Sequence, residues 1–265
     1  MKETKSLFSI IAENWQHFVA LLMLVVIAVV ITVIVERLAS KKERELTGRT
    51  EGLLSVRKIA ITGVFSAISF VLMYFEFPLP FAPSFYKFDF SDIPALIGGF
   101  AAGPLVGVMI ELIKVTLNIL LQGTTSGFVG EIANFVVGAA FILPATIIYR
   151  FKKTRNVALL SCIAGTLCIS VVGALLNAYF LLPAYAIMFG SGIDAFVKMG
   201  TELNSAITDV TTFCLFAVAP FNMVKGLADS AITFLVYKKL SPILKADQMA
   251  VPKKKASSEA ASAEA

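Results

Sequence analysis

Long uncharged, apolar runs alternate with short polar stretches along most of the chain. The first run extends from Phe18 to Val35 and is closed by Glu36 and Arg37. Others cover Ile59 to Phe77, Leu105 to Leu121, Phe128 to Tyr149, Val157 to Met188 and Phe213 to Tyr237, the last with a lead-in from Ala206 to Thr212. A helix rises about 1.5 Å per residue and the hydrocarbon core of a bilayer is about 30 Å thick, so ~18 apolar residues suffice to cross it. The run from Ile93 to Ala102 is shorter and stops at Gly103-Pro104, a helix-breaking pair. The pattern predicts an all-α integral membrane protein in which one extra helix precedes a group of six.

The polar stretches supply the ends of these helices. Pro78, Pro80 and Pro83 cannot continue a helix, so Pro78 to Ser91 reads as a loop. Asp92-Ile-Pro94 predicts a helix start, with Asp92 as the N-cap and proline in the first turn. Gly123 to Gly127 forms a second turn, and Phe189 to Ser205 a less apolar loop. The run from Val157 to Met188 is long enough to tilt or break near Pro183.

Charge adds direction. Seven Lys and Arg lie between Arg37 and Lys58, against Lys2 and Lys5 before the first run. Arg150, Lys152, Lys153 and Arg155 form another cluster, and Lys238 and Lys239 close the last run. With seven helices, every dense basic cluster falls on one side. The positive-inside rule makes that side cytoplasmic, with the amino terminus outside and the carboxyl terminus inside. No small-x-small cleavage site follows the first run, which is therefore expected to be a retained helix rather than a signal peptide. The organisation expected is an extra transmembrane helix over 1–36, a charged cytoplasmic linker over 37–56, a six-helix membrane domain over 57–246 and a disordered tail over 247–265. The linker mixes both signs and reads as a solvated or surface-lying helix.

Composition narrows the function. Only 15% of residues are charged, against about 25% in soluble domains. The net charge of +5 resides in clusters between apolar runs, which does not suggest a nucleic-acid surface. Cys162, Cys168 and Cys214 lack metal-ligand or redox spacing. No phosphate-binding loop, zinc-protease motif or nucleophile elbow occurs, so neither catalytic nor metal-ligating residues are expected. If the chain takes part in energised transport, a partner must supply the energy.

Polar groups within membrane helices are costly and mark candidate sites. Glu111 and Lys114 lie three apart and can form an ion pair, with Asn118 one turn further on. Glu131 and Asn134 share a face near the outer end of their helix; Glu131 either favours the helix amino terminus or accepts from a ligand. Asn177 lies in an otherwise apolar helix, where it can bridge helices. Asn222 and Lys225 share one face, too deep to reach the cytoplasmic interface, with Pro220 freeing a backbone carbonyl. All but Glu111, Lys114 and Asn118 are expected toward the outer side. There they meet the aromatic stretch Phe81 to Phe90, whose Phe85, Lys87 and Phe88 complete the candidate binding set. Amides and rings suit an aromatic, hydroxyl-rich ligand of low charge. Gly63 and Ala67, four apart, allow a close helix approach.

These segments resemble the substrate-binding S components of energy-coupling factor (ECF) vitamin transporters, of the riboflavin type. The resemblance rests on Glu76-Phe-Pro-Leu-Pro, on Lys87 through Phe100 with its Phe-Ser-Asp-Ile-Pro, on Gly130-Glu-Ile-Ala-Asn-Phe, on Leu176-Asn-Ala-Tyr-Phe-Leu-Leu-Pro and on Pro220-Phe-Asn-Met-Val-Lys-Gly. It covers about Arg57 to Leu240. It implies a cell-membrane protein with a six-helix core that takes riboflavin as a transported ligand, not a cofactor, beneath the first outside loop. Asn177, Asn222 and Lys225 would touch the ribityl hydroxyls and the ring edge. A transmembrane coupling protein and two cytoplasmic ATPases would be its partners, with Gly63 and Ala67 on the docking helix. The family often has Ala at the position of Gly63. The extra helix and the long Phe189 to Ser205 loop depart from the pattern. A related flavin such as flavin mononucleotide is the alternative ligand, with only Lys87 and Lys225 at hand for a phosphate. From another class, Glu111, Lys114, Glu131 and Asp229 would supply titratable groups to an intramembrane enzyme or sensor.

Overall fold

A computed structural model describes residues 15–47, 52–124 and 126–249. The expected disordered tail lies outside the described residues from 250 onward, and its first three positions are helical. Helices dominate: α1 (Trp15–Thr47), α2 (Val56–Tyr74), α3 (Asp92–Ala102), α4 (Pro104–Gln122), α5 (Val129–Phe151), α6 (Arg155–Leu176), α7 (Leu182–Phe189), α8 (Ile193–Leu203), α9 (Val210–Phe213) and α10 (Ala219–Met249). Among the described residues, six helical stretches are long and apolar enough to cross a membrane. The short α3 makes the seventh apolar helix, as the sequence pattern predicts.

At 11 residues, α3 rises only about 16 Å and cannot span a bilayer alone. It is instead enclosed, with Ile93 through Ala101 buried. Ala95, Leu96 and Phe100 pack with Val106 and Ile110 of α4, Phe141, Ile142 and Tyr149 of α5, and Cys162 and Ile169 of α6. The Phe100 and Tyr149 rings stand 4.4 Å apart.

The chain reaches α3 through a tight aromatic hairpin. Strands β1 (Phe77–Pro78) and β2 (Lys87–Phe88) pair antiparallel, Phe77 opposite Phe88. Asp92 is the first residue of α3 and not its cap; Ser91 holds the cap position and its side chain makes no capping bond. The Asp92 carboxylate is drawn away by buried ammonium groups, which outbid the backbone donors of a helix end.

Two helices keep their direction through π turns. Residues Asn177–Leu181 link α6 to α7, and Cys214–Val218 link α9 to α10. Each ends two residues before a proline, Pro183 or Pro220. Proline removes a donor and crowds the carbonyl four residues back, and widening the preceding turn accommodates both. The expected break near Pro183 is therefore a local widening. The loop expected over Phe189 to Ser205 is mostly α8, whose Phe196, Val197 and Gly200 face inward.

The first helix does not stop at Glu36. It continues to Thr47, taking up the first half of the stretch expected as a linker, and runs 33 residues, about 50 Å. Leu21, Ala28, Thr32, Glu36 and Ala39 are buried along one stripe facing α4 and α5, while Met23, Val26, Val30 and Ile34 are exposed. Glu36, fully buried, bonds the Lys58 ammonium at 2.7 Å and lies 3.9 Å from the Arg150 guanidinium. Gly103 closes the arrangement. Its φ of +106° suits glycine, and a Cβ there would fall 2.5 Å from the Glu36 carboxylate.

Candidate functional site

Glu36, Lys58, Gly103 and Arg150 mark one end of the bundle. At the other end the hairpin, the last turns of α2 and α4, the start of α5 and the two π-turned helices surround a cavity of about 420 Å³. Such volumes are typical of small-molecule sites, ~300–1,000 Å³.

Seven of the eight residues selected from sequence as ligand contacts line this cavity. Asn177 and Leu181 come from the first π turn, Asn222 and Lys225 from α10, and Glu131 and Asn134 from the first turns of α5. Phe85 and Lys87 come from the hairpin. Phe88 is the exception. Strand alternation turns its ring inward, 4% exposed, where it packs with Ala82 and Phe221 and is absent from the lining. Asn118 also departs from expectation, since it lines the cavity. Because α4 runs from the Gly103 end to Gln122, Asn118 is one turn from its cavity-side terminus.

The amides of Asn177 and Asn222 are fixed by local bonds. Asn177 donates Nδ2–H to the Gly173 carbonyl at 2.8 Å and accepts the Tyr86 hydroxyl on Oδ1 at 2.5 Å. Burial pushes the Tyr86 phenol well above the usual tyrosine range, so its O–H remains a donor. Asn222 donates Nδ2–H to the Val218 carbonyl at 2.9 Å, a group at the end of the second π turn. Glu131 accepts the Ser126 hydroxyl at 2.5 Å. Aromatic rings form the apolar walls: Tyr86 stacks near Phe85 at 4.4 Å and Phe221 at 5.6 Å, and Phe196 of α8 meets Phe85 edge-on at 5.7 Å.

Lys225 is held more tightly than its position in sequence suggests. Its ammonium donates to the Asp89 carbonyl at 3.0 Å and lies 3.1 Å from the Asp89 carboxylate and 3.3 Å from Asp92. Lys114 bonds the other Asp92 oxygen at 2.7 Å, Ser91 Oγ at 2.9 Å and Glu111 at 2.6 Å. The expected Glu111–Lys114 ion pair is thus one edge of a larger buried network. Lys87 is likewise paired, with Glu76 at 2.5 Å, although this pair is half exposed. Both cations at the cavity therefore have carboxylate partners.

Sequence reasoning missed Asp89, assigned Asp92 to a cap and left Tyr86 among the general aromatics. Only Lys225 carried a usable signal: a buried cation in a membrane needs a partner, and Asp89 and Asp92 are the acids nearest the loop it was expected to meet. Gly63 and Ala67 lie on an exposed face of α2, and a Cβ added at Gly63 meets nothing within 4 Å.

Comparison with known proteins gives the arrangement a lineage. The family described as ECF transporter, substrate-specific component, matches residues 57–237. The riboflavin transporter FmnP of Bacillus subtilis is 34% identical over 71% of this chain and 94% of its own length. The riboflavin transporter RibU of Staphylococcus aureus is 33% identical over 76% of this chain and 99% of its own. A solved S component of a bacterial ECF transporter superposes with a TM-score of 0.56 at 32% identity, covering 71% of this chain and 98% of that one. The family match begins at residue 57, beyond α1. A bundle of apolar helices closed around a polar cavity at one end, with this extent of likeness, is that of a transporter's binding subunit: the chain belongs to the substrate-specific components of ECF transporters.

Proposed function

We propose that the chain captures riboflavin in the cavity and delivers it across the cell membrane as the S component of an ECF transporter. The observation that carries this reading is the cavity lining. Amide groups of Asn118, Asn134 and Asn222, the Glu131 carboxylate and aromatic rings of Phe85, Tyr86 and Phe221 converge on one space. Rings offer faces to a flat heterocycle, and amides can donate or accept toward a polyol chain. The riboflavin transporters among its relatives support the ligand.

The basic clusters at the opposite end support a reading in which the cavity opens on the extracytoplasmic side and the carboxyl terminus is cytoplasmic, by the positive-inside rule. The exposed α2 face at Gly63 and Ala67 is the surface offered to a transmembrane coupling protein, which links the chain to two cytoplasmic ATPases. A flavin phosphate is a poorer ligand. Lys87 and Lys225 are occupied by Glu76, Asp89 and Asp92, and a phosphomonoester seeks free cations or helix amino termini.

Titrating the purified protein with riboflavin and following quenching of flavin fluorescence tests the reading. Saturable one-to-one binding is expected. Absence of saturable quenching overturns it.

A further inference from the structure

Gly173 lies inside α6, where glycine costs helix stability relative to alanine. Its position between Asn177 and Asn222 explains its presence. A Cβ at Gly173 would fall 2.6 Å from Nδ2 and 3.0 Å from Cγ of Asn222, on the neighbouring helix. The bare Cα is what lets the Asn222 amide lie flat against α6. The same residue's carbonyl accepts Nδ2–H of Asn177 at 2.8 Å and also its backbone N–H. One residue therefore supplies the space for one amide and the acceptor for the other.

We infer that Gly173 is the positioning residue of the binding site, setting where the Asn222 amide, and with it the cavity wall shared by α6 and α10, stands relative to Asn177. The inference rests on the riboflavin-binding reading for its functional consequence and on geometry alone for its mechanism. With Nδ2 of Asn222 engaged by the Val218 carbonyl, Oδ1 is the free end of that amide and acts as an acceptor toward the ligand. A methyl group at position 173 displaces Nδ2, breaks its bond to Val218 and swings Oδ1 off its line.

The experiment is a double-substitution cycle on the full-length protein, with Gly173→Ala, Asn222→Ala and both together. Riboflavin affinity is expected to fall at least tenfold in Gly173→Ala and to a similar extent in Asn222→Ala, with no further loss in the double variant. A ligand-free readout runs in parallel. Gly173→Ala lowers the apparent unfolding temperature when Asn222 is present, and not in the Asn222→Ala background, where the added methyl has room. Alanine is the better helix former, so a loss in the single variant cannot come from backbone propensity. Wild-type affinity in Gly173→Ala, or strictly additive effects in either readout, overturns the inference. If the wild type fails to bind riboflavin, the ligand assignment falls, and the unfolding cycle still decides the role of Gly173.

Discussion

Tyr86 donates its hydroxyl to Oδ1 of Asn177 across 2.5 Å, tying the aromatic hairpin to the π turn below it. The bond spans 91 positions in sequence and joins a loop to a helix. It makes the hairpin part of the cavity wall, and it leaves Asn177 with both ends of its amide engaged.

Tyr86→Phe keeps the ring and its stacking on Phe85 and Phe221 while deleting the donor. Loss of one buried hydrogen bond costs ~1–2 kcal/mol, or ~5- to 30-fold in an equilibrium. Riboflavin affinity measured by fluorescence titration is expected to fall within that range. Tyr86→Phe with unaltered affinity would show that the hairpin closes without this tether.

Lys225→Met removes the ammonium shared by Asp89 and Asp92, and it strands Asp89 while Lys114 still holds Asp92. Breaking a buried ion pair from one side costs ~3–5 kcal/mol because a charge is left stranded. The variant is expected to unfold at a clearly lower temperature in detergent, and adding Asp89→Asn should recover part of the loss. A stable Lys225→Met protein whose only defect is ligand affinity would contradict the network's structural role.

Glu36 and Lys58 give a similar test for the first helix. Each alone, changed to alanine, strands its partner; changed together, they leave only Arg150 and Gly103 to readjust. The two single losses are therefore expected to exceed the loss of the double variant by ~1–3 kcal/mol in unfolding experiments. A coupling near zero would mean that α1 rests on the core through apolar contacts alone.

Gly63→Leu and Ala67→Leu place bulk on an exposed face of α2, far from the cavity. Riboflavin binding by the isolated chain is expected to stay within twofold, on the order of the ~0.5 kcal/mol typical of surface changes. Uptake by cells is expected to drop sharply. Normal uptake in both variants would remove α2 as the docking helix.

Flavin mononucleotide offers a further contrast. Its phosphate carries about −1.5 to −2 charges near neutral pH, and the cavity already exposes Glu131 beside paired lysines. Binding at least tenfold weaker than for riboflavin is expected in competition titrations. Equal affinities would require a cation that the present pairing hides.

Helix number and order were readable because each follows from one-dimensional quantities: run length and proline position. The cavity residues Asn177, Asn222, Glu131 and Asn134 were readable for a related reason, since an amide or carboxylate in an apolar run stands out. What escaped notice depends on distances between elements. Asp92 has the sequence look of a cap, and only the approach of Lys114 and Lys225 gives it another role. Phe88 and Phe85 are three positions apart in one loop, yet strand pairing sends one ring into packing and leaves the other on the cavity. The π turns carry a faint signature in their spacing from Pro183 and Pro220, too short to separate from an ordinary kink. The reach of α1 past Glu36 was hidden because a charged residue ends a hydropathy run whether or not the helix continues, and Glu36 is charged but buried.

The stripe that seats α1 lies against α4 and α5, whereas Gly63 and Ala67 remain uncovered on α2. The added helix thus widens the bundle along α4 and α5, and it touches α2 through the Glu36–Lys58 ion pair, five positions before Gly63.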